Sequence, residues 1–127
     1  MPKITTVCVV DDANAMQKLG AKLLQSLGME VCSAKNGYEA LQVIQANSPD
    51  ACFIDIEMPE MNGLQLVSIL RSSKQYATLP IAVLSGNSSP FDRQKGLLVG
   101  ADLYLTKPFT KEILSQAISD MEKLYEE

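Results

Sequence analysis

The stretch Ala51-Cys52-Phe53-Ile54-Asp55-Ile56-Glu57-Met58-Pro59 constrains the fold more than any other part of the chain. It is a short apolar run of β-rich character, and it ends on a carboxylate followed by a proline-containing loop. Such a run reads as a strand buried on both faces. Strands of that kind belong to parallel sheets covered by helices, where ligands bind just outside the carboxyl ends. Asp55 stands at such an end. Taken alone, an acid there does no more than cap a turn, so its meaning depends on what the other strand ends carry.

The rest of the chain supplies those strands. Ile4 to Val10 reads as a first strand ending on Asp11-Asp12, with Asn14 as N-cap of a helix carrying Met16, Leu19, Leu23 and Leu27 and stopping at Gly28. Glu30 to Ala34 is a second strand. Asn36-Gly37 opens a helix with Ala40, Leu41 and Ile44 inward, stopped by Ser48-Pro49. After the Asp55 strand, Asn62-Gly63 starts a helix with Leu66, Ile69 and Leu70 as its apolar stripe. Leu79 to Leu84 is a fourth strand ending on Ser85-Gly86-Asn87, followed by a helix over about Asp92 to Val99 and a stop at Gly100. Leu103-Tyr104-Leu105 is a fifth strand ending on Thr106-Lys107-Pro108. A last helix turns Leu114, Ala117, Ile118, Met121 and Leu124 to one side. Strands alternating with helices give right-handed crossovers and a doubly wound α/β fold, a five-stranded parallel sheet with five helices. No repeat, low-complexity tract or linker divides residues 1–127, so a single domain is expected.

Composition removes several function classes. The net charge of −4 lacks the lysine and arginine excess of a nucleic-acid binder. No apolar run has the length of a membrane span, and Met1-Pro2-Lys3 leads into a strand-like run, not a signal segment. Cys8, Cys32 and Cys52 all lie in strand-like runs without metal-ligand spacing, which favours reduced, buried thiols and a cytoplasmic location. The chain has no histidine, hence no imidazole base and no phosphohistidine of its own.

In a parallel sheet all strands point one way, so Asp11-Asp12, Asp55, Ser85 and Lys107 share one edge. Neighbouring carboxylates raise one another's pKa unless a cation joins them. Oxygen-only ligands suit a hard divalent ion, and Mg2+ prefers to share a phosphoryl oxygen. A hydroxyl and an ammonium supply a hydrogen bond and a charge to the same anion. The chemistry this implies is phosphoryl transfer onto Asp55 as nucleophile, with metal and Lys107 neutralising the transition state.

The sequence resembles the receiver domains of response regulators in two-component signalling, of the free-standing chemotaxis type. The resemblance runs through Val9-Val10-Asp11-Asp12, Ala34-Lys35-Asn36-Gly37-Tyr38-Glu39-Ala40-Leu41, Asp55-Ile56-Glu57-Met58-Pro59-Glu60-Met61-Asn62-Gly63, Pro80-Ile81-Ala82-Val83-Leu84-Ser85-Gly86 and Thr106-Lys107-Pro108-Phe109. Phe91-Asp92-Arg93-Gln94-Lys95-Gly96, with Gly100 and Tyr104-Leu105, is similar to receivers of type IV pilus (twitching-motility) chemosensory systems. The resemblance implies a flavodoxin-like sheet of order 2-1-3-4-5. It implies that Asp55 accepts a phosphoryl group from a histidine kinase, with Mg2+ held by Asp11, Asp12, Asp55 and the backbone carbonyl of Glu57. Ser85 and Lys107 would bind the phosphoryl group, and the Lys107–Pro108 bond would be cis. Tyr104 matches an aromatic switch position whose ring turns inward when Ser85 is drawn to the phosphate. Output would be a protein–protein contact through the face of the fourth helix, fifth strand and fifth helix, from a monomer or weak dimer, with no nucleic acid and no membrane insertion. Beyond Mg2+-dependent self-phosphorylation and self-dephosphorylation, no enzyme activity is expected. Glu57 places an additional carboxylate near the site and is expected to influence phosphoryl lifetime.

Two other readings compete. An aspartate-nucleophile phosphatase of the haloacid-dehalogenase type needs an acid/base Asp two residues beyond the nucleophile and commonly a Thr two further on. Glu57 and Pro59 stand there instead. A pseudoreceiver, an interaction module that is never phosphorylated, has no need to retain Asp11, Asp12, Asp55, Ser85 and Lys107 together.

Overall fold

The computed structural model describes residues 4–86 and 90–125. Met1-Pro2-Lys3 and Asn87 lie outside the described residues. Five strands alternate with five helices: β1 (Thr6–Val10), α1 (Asn14–Ser26), β2 (Glu30–Ala34), α2 (Gly37–Asn47), β3 (Ala51–Asp55), α3 (Gly63–Arg71), β4 (Ile81–Ser85), α4 (Pro90–Val99), β5 (Leu103–Thr106) and α5 (Lys111–Glu122). The strands form one parallel sheet of order β2-β1-β3-β4-β5, the expected doubly wound arrangement. Short 3-10 turns at Lys74–Tyr76 and Lys123–Tyr125 were not anticipated by the sequence pattern.

Although β1, β3 and β4 are almost wholly apolar, their side chains still alternate between two cores. Cys8, Val10, Cys52, Ile54, Ile81 and Val83 face one core with Ile44 of α2 and Leu66, Val67 and Leu70 of α3. Val7, Val9, Ala51, Phe53, Ala82 and Leu84 face the other, against Leu24 of α1 and Leu114, Ala117, Ile118 and Met121 of α5. Each of these large side chains stabilises the fold by roughly 1.5–3 kcal/mol through burial. The three thiols are free. Cys8 pairs in register with Cys32 on one side and Cys52 on the other; Cys8 and Cys52 are buried, whereas Cys32 is half-buried.

Several local expectations need correction. The N-cap of α1 is Ala13, not Asn14, and no side chain caps the helix. Its buried positions are Gly20 and Leu24, while Leu19 is 41% exposed. Met16, Leu23 and Leu27 pack partly buried against the core as expected, and of the stripe Leu19 alone turns outward, with Gly20 facing Val9 and the Phe109 ring in its place. In α3, Val67 is buried and Ile69 faces outward. Leu124 is 52% exposed because α5 ends at Glu122 and the chain then tightens into a 3-10 turn. β1 begins at Thr6 because the Thr5 and Thr6 N–H groups donate to Asp50 Oδ2 at 3.0 Å. The remaining punctuation matches expectation. Asn36 and Asn62 accept from the N–H groups of Glu39 and Gln65, and Gly28 and Gly100 take φ of +90° and +125° after α1 and α4.

At the amino-terminal edge of the sheet, Arg71 ties α3 to the chain around β4 and β5. Its guanidinium donates to the carbonyls of Gly100 (2.8 Å), Tyr76 (3.0 Å) and Leu79 (2.7 Å) and to Asp102 Oδ2 (2.9 Å). The same carboxylate oxygen accepts from the N–H of Ile81 at 2.9 Å.

Candidate functional site

The strand order reverses direction about β1, and the crevice at that point opens between the carboxyl ends of β1 and β3. Register decides what meets there. Val10 stands opposite Ile54, so the next residues, Asp11 and Asp55, stand side by side. Asp55 is opposite Leu84, which Ser85 follows, and Ser85 is opposite Thr106, which Lys107 follows. The four expected strand ends thus meet on one edge, two of them as the buried acids Asp11 (1% exposed) and Asp55 (2%).

Each side chain is fixed by local bonds. Asp11 Oδ1 accepts from the Ala13 N–H at 2.9 Å, a turn that starts α1, and Gln17 Nε2 bridges the carbonyls of Asp11 and Ala34 at 3.1 and 3.0 Å. Lys107 is placed by its N–H, which donates to the Ser85 carbonyl at 2.7 Å, and its bond to Pro108 is cis as expected. The Lys107 ammonium then lies 3.1 Å from Asp55 Oδ1 and 3.3 Å from Asp11 Oδ2. Asp55 Oδ1 also accepts from the Glu57 N–H at 3.3 Å. Behind Asp55, the Gly63 N–H donates to the Ile56 carbonyl at 2.9 Å, and a Cβ on Gly63 would overlap the Asp55 carbonyl oxygen. Only glycine lets the start of α3 approach the end of β3 this closely.

Burial pushes the Asp55 carboxyl up from its usual 3.8 to about 6. The neighbouring Asp11 charge adds to this, and the Lys107 ammonium opposes it. Burial works to lower Lys107, but Asp55 and Asp11 more than reverse that and leave its pKa raised. At neutral pH the site therefore holds an ionised carboxylate beside an ammonium. Asp12 completes the acidic group: one oxygen each from Asp11, Asp12 and Asp55 lie within 4.8 Å of one another, Asp12 being exposed. An all-oxygen set of this size fits a hard divalent cation.

Ser85 Oγ donates to Glu57 Oε1 at 3.3 Å, and the Gly86 N–H donates to the same oxygen at 3.1 Å. Sequence reasoning placed Glu57 near the site but gave no direction to its side chain. The only signal was its position two residues beyond Asp55 on a short loop. Tyr104 is set apart from the acids. Its ring is buried (3% exposed), stacked under α4 at Gly96, with the Arg93 guanidinium 5.6 Å from its centroid. Beside the ring, a cavity of about 300 Å3 is lined by residues that include Glu57, Ser85, Asp92, Lys95 and Tyr104.

Among the described residues no helix is long and apolar enough to cross a membrane. The family model for the response regulator receiver domain matches residues 7–119. Protein PilG of Pseudomonas aeruginosa is 38% identical over 112 residues, covering 88% of this chain and 83% of PilG. The gliding motility regulatory protein of Myxococcus xanthus is 37% identical over 113 residues, but the chain spans only 14% of its length. In structure, the chemotaxis protein CheY4 of Vibrio cholerae superposes with a TM-score of 0.87 at 35% identity, covering 93% of this chain and 98% of that one. Topology, strand-end chemistry and these similarities agree: the chain belongs to the response regulator receiver domain family.

Proposed function

We propose that this receiver is switched by phosphorylation of Asp55, with a histidine kinase as donor, and signals by protein–protein contact. The observation that carries the reading is the junction of Asp11, Asp55 and Lys107 at three strand ends, with two ion pairs of 3.1 and 3.3 Å to one ammonium. An ionised Asp55 oxygen attacks the phosphorus of the donor. The O–P bond forms as the donor's N–P bond breaks, and the electron pair leaves on the imidazole. Lys107 follows the charge from the carboxylate to the transferring group. Ser85 donates its hydroxyl hydrogen to a phosphoryl oxygen. Asp11, Asp12, Asp55 and the Glu57 carbonyl would hold Mg2+, which when bound neutralises charge on the phosphoryl oxygens. Water later hydrolyses the acyl phosphate, and no other enzymatic turnover is assigned.

The product adds roughly −1.5 to −2 charges and three acceptor oxygens at the edge of β3 and β4. With Tyr104 already inside, its expected inward turn has little distance left to travel. In our reading the ring couples Ser85 to α4 through Gly96, and the face of α4, β5 and α5 meets an effector. The relatives named for gliding motility and chemotaxis, and the Phe91–Gly96 run similar to twitching-motility receivers, support a motility or chemotaxis pathway. We read residues 1–127 as one receiver domain that works in the cytoplasm as a monomer or weak dimer.

Intact-mass spectrometry after incubation with acetyl phosphate and Mg2+ tests this, with Asp55→Asn and an EDTA-treated sample alongside. One phosphoryl group on the wild type, missing from both controls, is expected. No adduct under conditions that label a known receiver would favour the pseudoreceiver instead. Turnover of p-nitrophenyl phosphate by the wild type would favour the phosphatase.

A further inference from the structure

Ser85 and Gly86 present two converging donors, a hydroxyl and a main-chain N–H, at the end of the strand beside Asp55. Both are engaged by one oxygen of one carboxylate, Glu57 Oε1, at 3.3 and 3.1 Å. Glu57 is otherwise exposed, so nothing about core packing requires its side chain to fold back over the site. A pair of donors that suits a carboxylate oxygen suits a phosphoryl oxygen equally well, because each presents a compact anionic acceptor. We propose that the Glu57 carboxylate is an internal stand-in for the phosphoryl group, holding the Ser85 and Gly86 donors until transfer to Asp55 displaces it. This inference rests on the receiver reading above.

The exchange balances at the site. In the labelling reaction the new bond joins an Asp55 oxygen to phosphorus, the O–P bond to the acetyl group breaks, and acetate leaves with the electron pair. At Glu57 no covalent bond changes. Two hydrogen bonds pass from its oxygen to phosphoryl oxygens. The displaced carboxylate moves into the cavity of about 300 Å3 that Glu57 lines, whose wall carries the Lys95 ammonium together with the Asp92 carboxylate and the Asn62 amide. Glu57 is thus a positioning residue that acts through Ser85 and Gly86. It opposes charging of Asp55 and favours return to the unphosphorylated state.

The test compares wild type with Glu57→Asp, Glu57→Ala and Glu57→Gln. Labelling rates with acetyl phosphate and Mg2+ are read by intact mass, urea stability is measured in parallel, and the Gly86 amide resonance is followed by NMR. Glu57→Asp is the decisive variant: it keeps the charge but is one methylene too short to reach both donors. If the carboxylate competes for those donors, Asp and Ala label faster by about three- to tenfold, the scale of one charge-assisted hydrogen bond on a partly solvated group. Gln, which keeps the reach with a weaker acceptor, falls between them and wild type. The Gly86 amide moves upfield in Asp and Ala as it loses the carboxylate. Faster labelling in Ala and Gln with Asp equal to wild type would mean only like-charge repulsion of the donor, and overturns the proposal. Unchanged or slower labelling in Asp and Ala, or lost stability with an unchanged rate, overturns it too, leaving a structural tie between two loops. A wild type that is not labelled at all defeats the receiver reading itself, and the two failures are therefore distinct.

Discussion

Replacing Asp55 by Asn removes the proposed acceptor, and the same substitution is expected to make the metal-free protein more stable. The Asp55 side chain is 3% exposed, and burial together with Asp11 holds its pKa near 6 against 3.8 in the ordinary case. The folded state therefore binds this proton more tightly than the unfolded chain does. Below about pH 3.8 both states are protonated and the site costs nothing. Between about pH 4 and 6 the unfolded chain ionises first, so stability falls as pH rises, and above 6 the loss is complete. A rise from 3.8 to about 6, at 1.36 kcal/mol per pH unit, makes that loss about 3 kcal/mol. Asparagine does not ionise and can still accept from the Glu57 N–H. Lys107 gives up one of its two carboxylate partners, but that attraction already opposes the rise in the Asp55 pKa and is contained in the loss of about 3 kcal/mol. The net expectation in EDTA at pH 7.5 is an Asp55→Asn variant more stable by about 3 kcal/mol, a shift of roughly 1–2 M in the urea midpoint. The difference should narrow by about 2 kcal/mol on going to pH 4.5, and Mg2+ should restore the wild type while leaving the variant nearly unmoved. Urea titrations at the two pH values, with EDTA or Mg2+, decide it. A variant no more stable than wild type at pH 7.5, or an advantage that does not change with pH, would refute the claim that Asp55 is a buried, costly anion.

Three further outcomes follow from the same geometry. Gly63→Ala drives a Cβ into the Asp55 carbonyl oxygen and to 2.8 Å from Ile56 Cα, backbone atoms that cannot step aside; a loss of about 2–4 kcal/mol in urea and at least tenfold slower labelling are expected. Arg71→Ala leaves the carbonyls of Gly100, Tyr76 and Leu79 and the Asp102 carboxylate without their shared donor, which should cost about 3 kcal/mol of stability. Its labelling rate should stay unchanged, because this network sits at the opposite edge of the sheet. Lys107→Ala removes the ammonium between Asp11 and Asp55, so labelling of the folded variant should fall by about tenfold or more while its far-ultraviolet circular dichroism is retained.

The sheet and the four functional strand ends were legible because they depend on short-range pattern. Apolar runs ending on Asp11, Asp55, Ser85 and Lys107 need only a shared strand direction to meet, and parallel topology supplies it. What the pattern could not resolve was rotation and reach. Leu19 sits at a spacing as helical as that of Leu23, yet it turns outward, and a glycine gives no hydropathy signal that Gly20 is the residue facing Val9 and the Phe109 ring. The start of β1 depended on the Asp50 carboxylate, 44 residues from Thr6, taking N–H groups that a ladder would otherwise use. The fold of Glu57 back onto Ser85 and Gly86 depends on how the loop after β3 crosses the end of β4. That is a property of the assembled sheet and not of either segment alone.

The ion pair between Lys107 and Asp11 joins residues 96 positions apart. During synthesis on the ribosome, Asp55 leaves the exit tunnel long before Lys107 does. Until β5 pairs with β4, that aspartate is an ordinary side chain on an incomplete sheet. A chain that lacks β5 therefore carries the aspartate without the ammonium that joins it to Asp11, and the buried acid is left without its cationic partner.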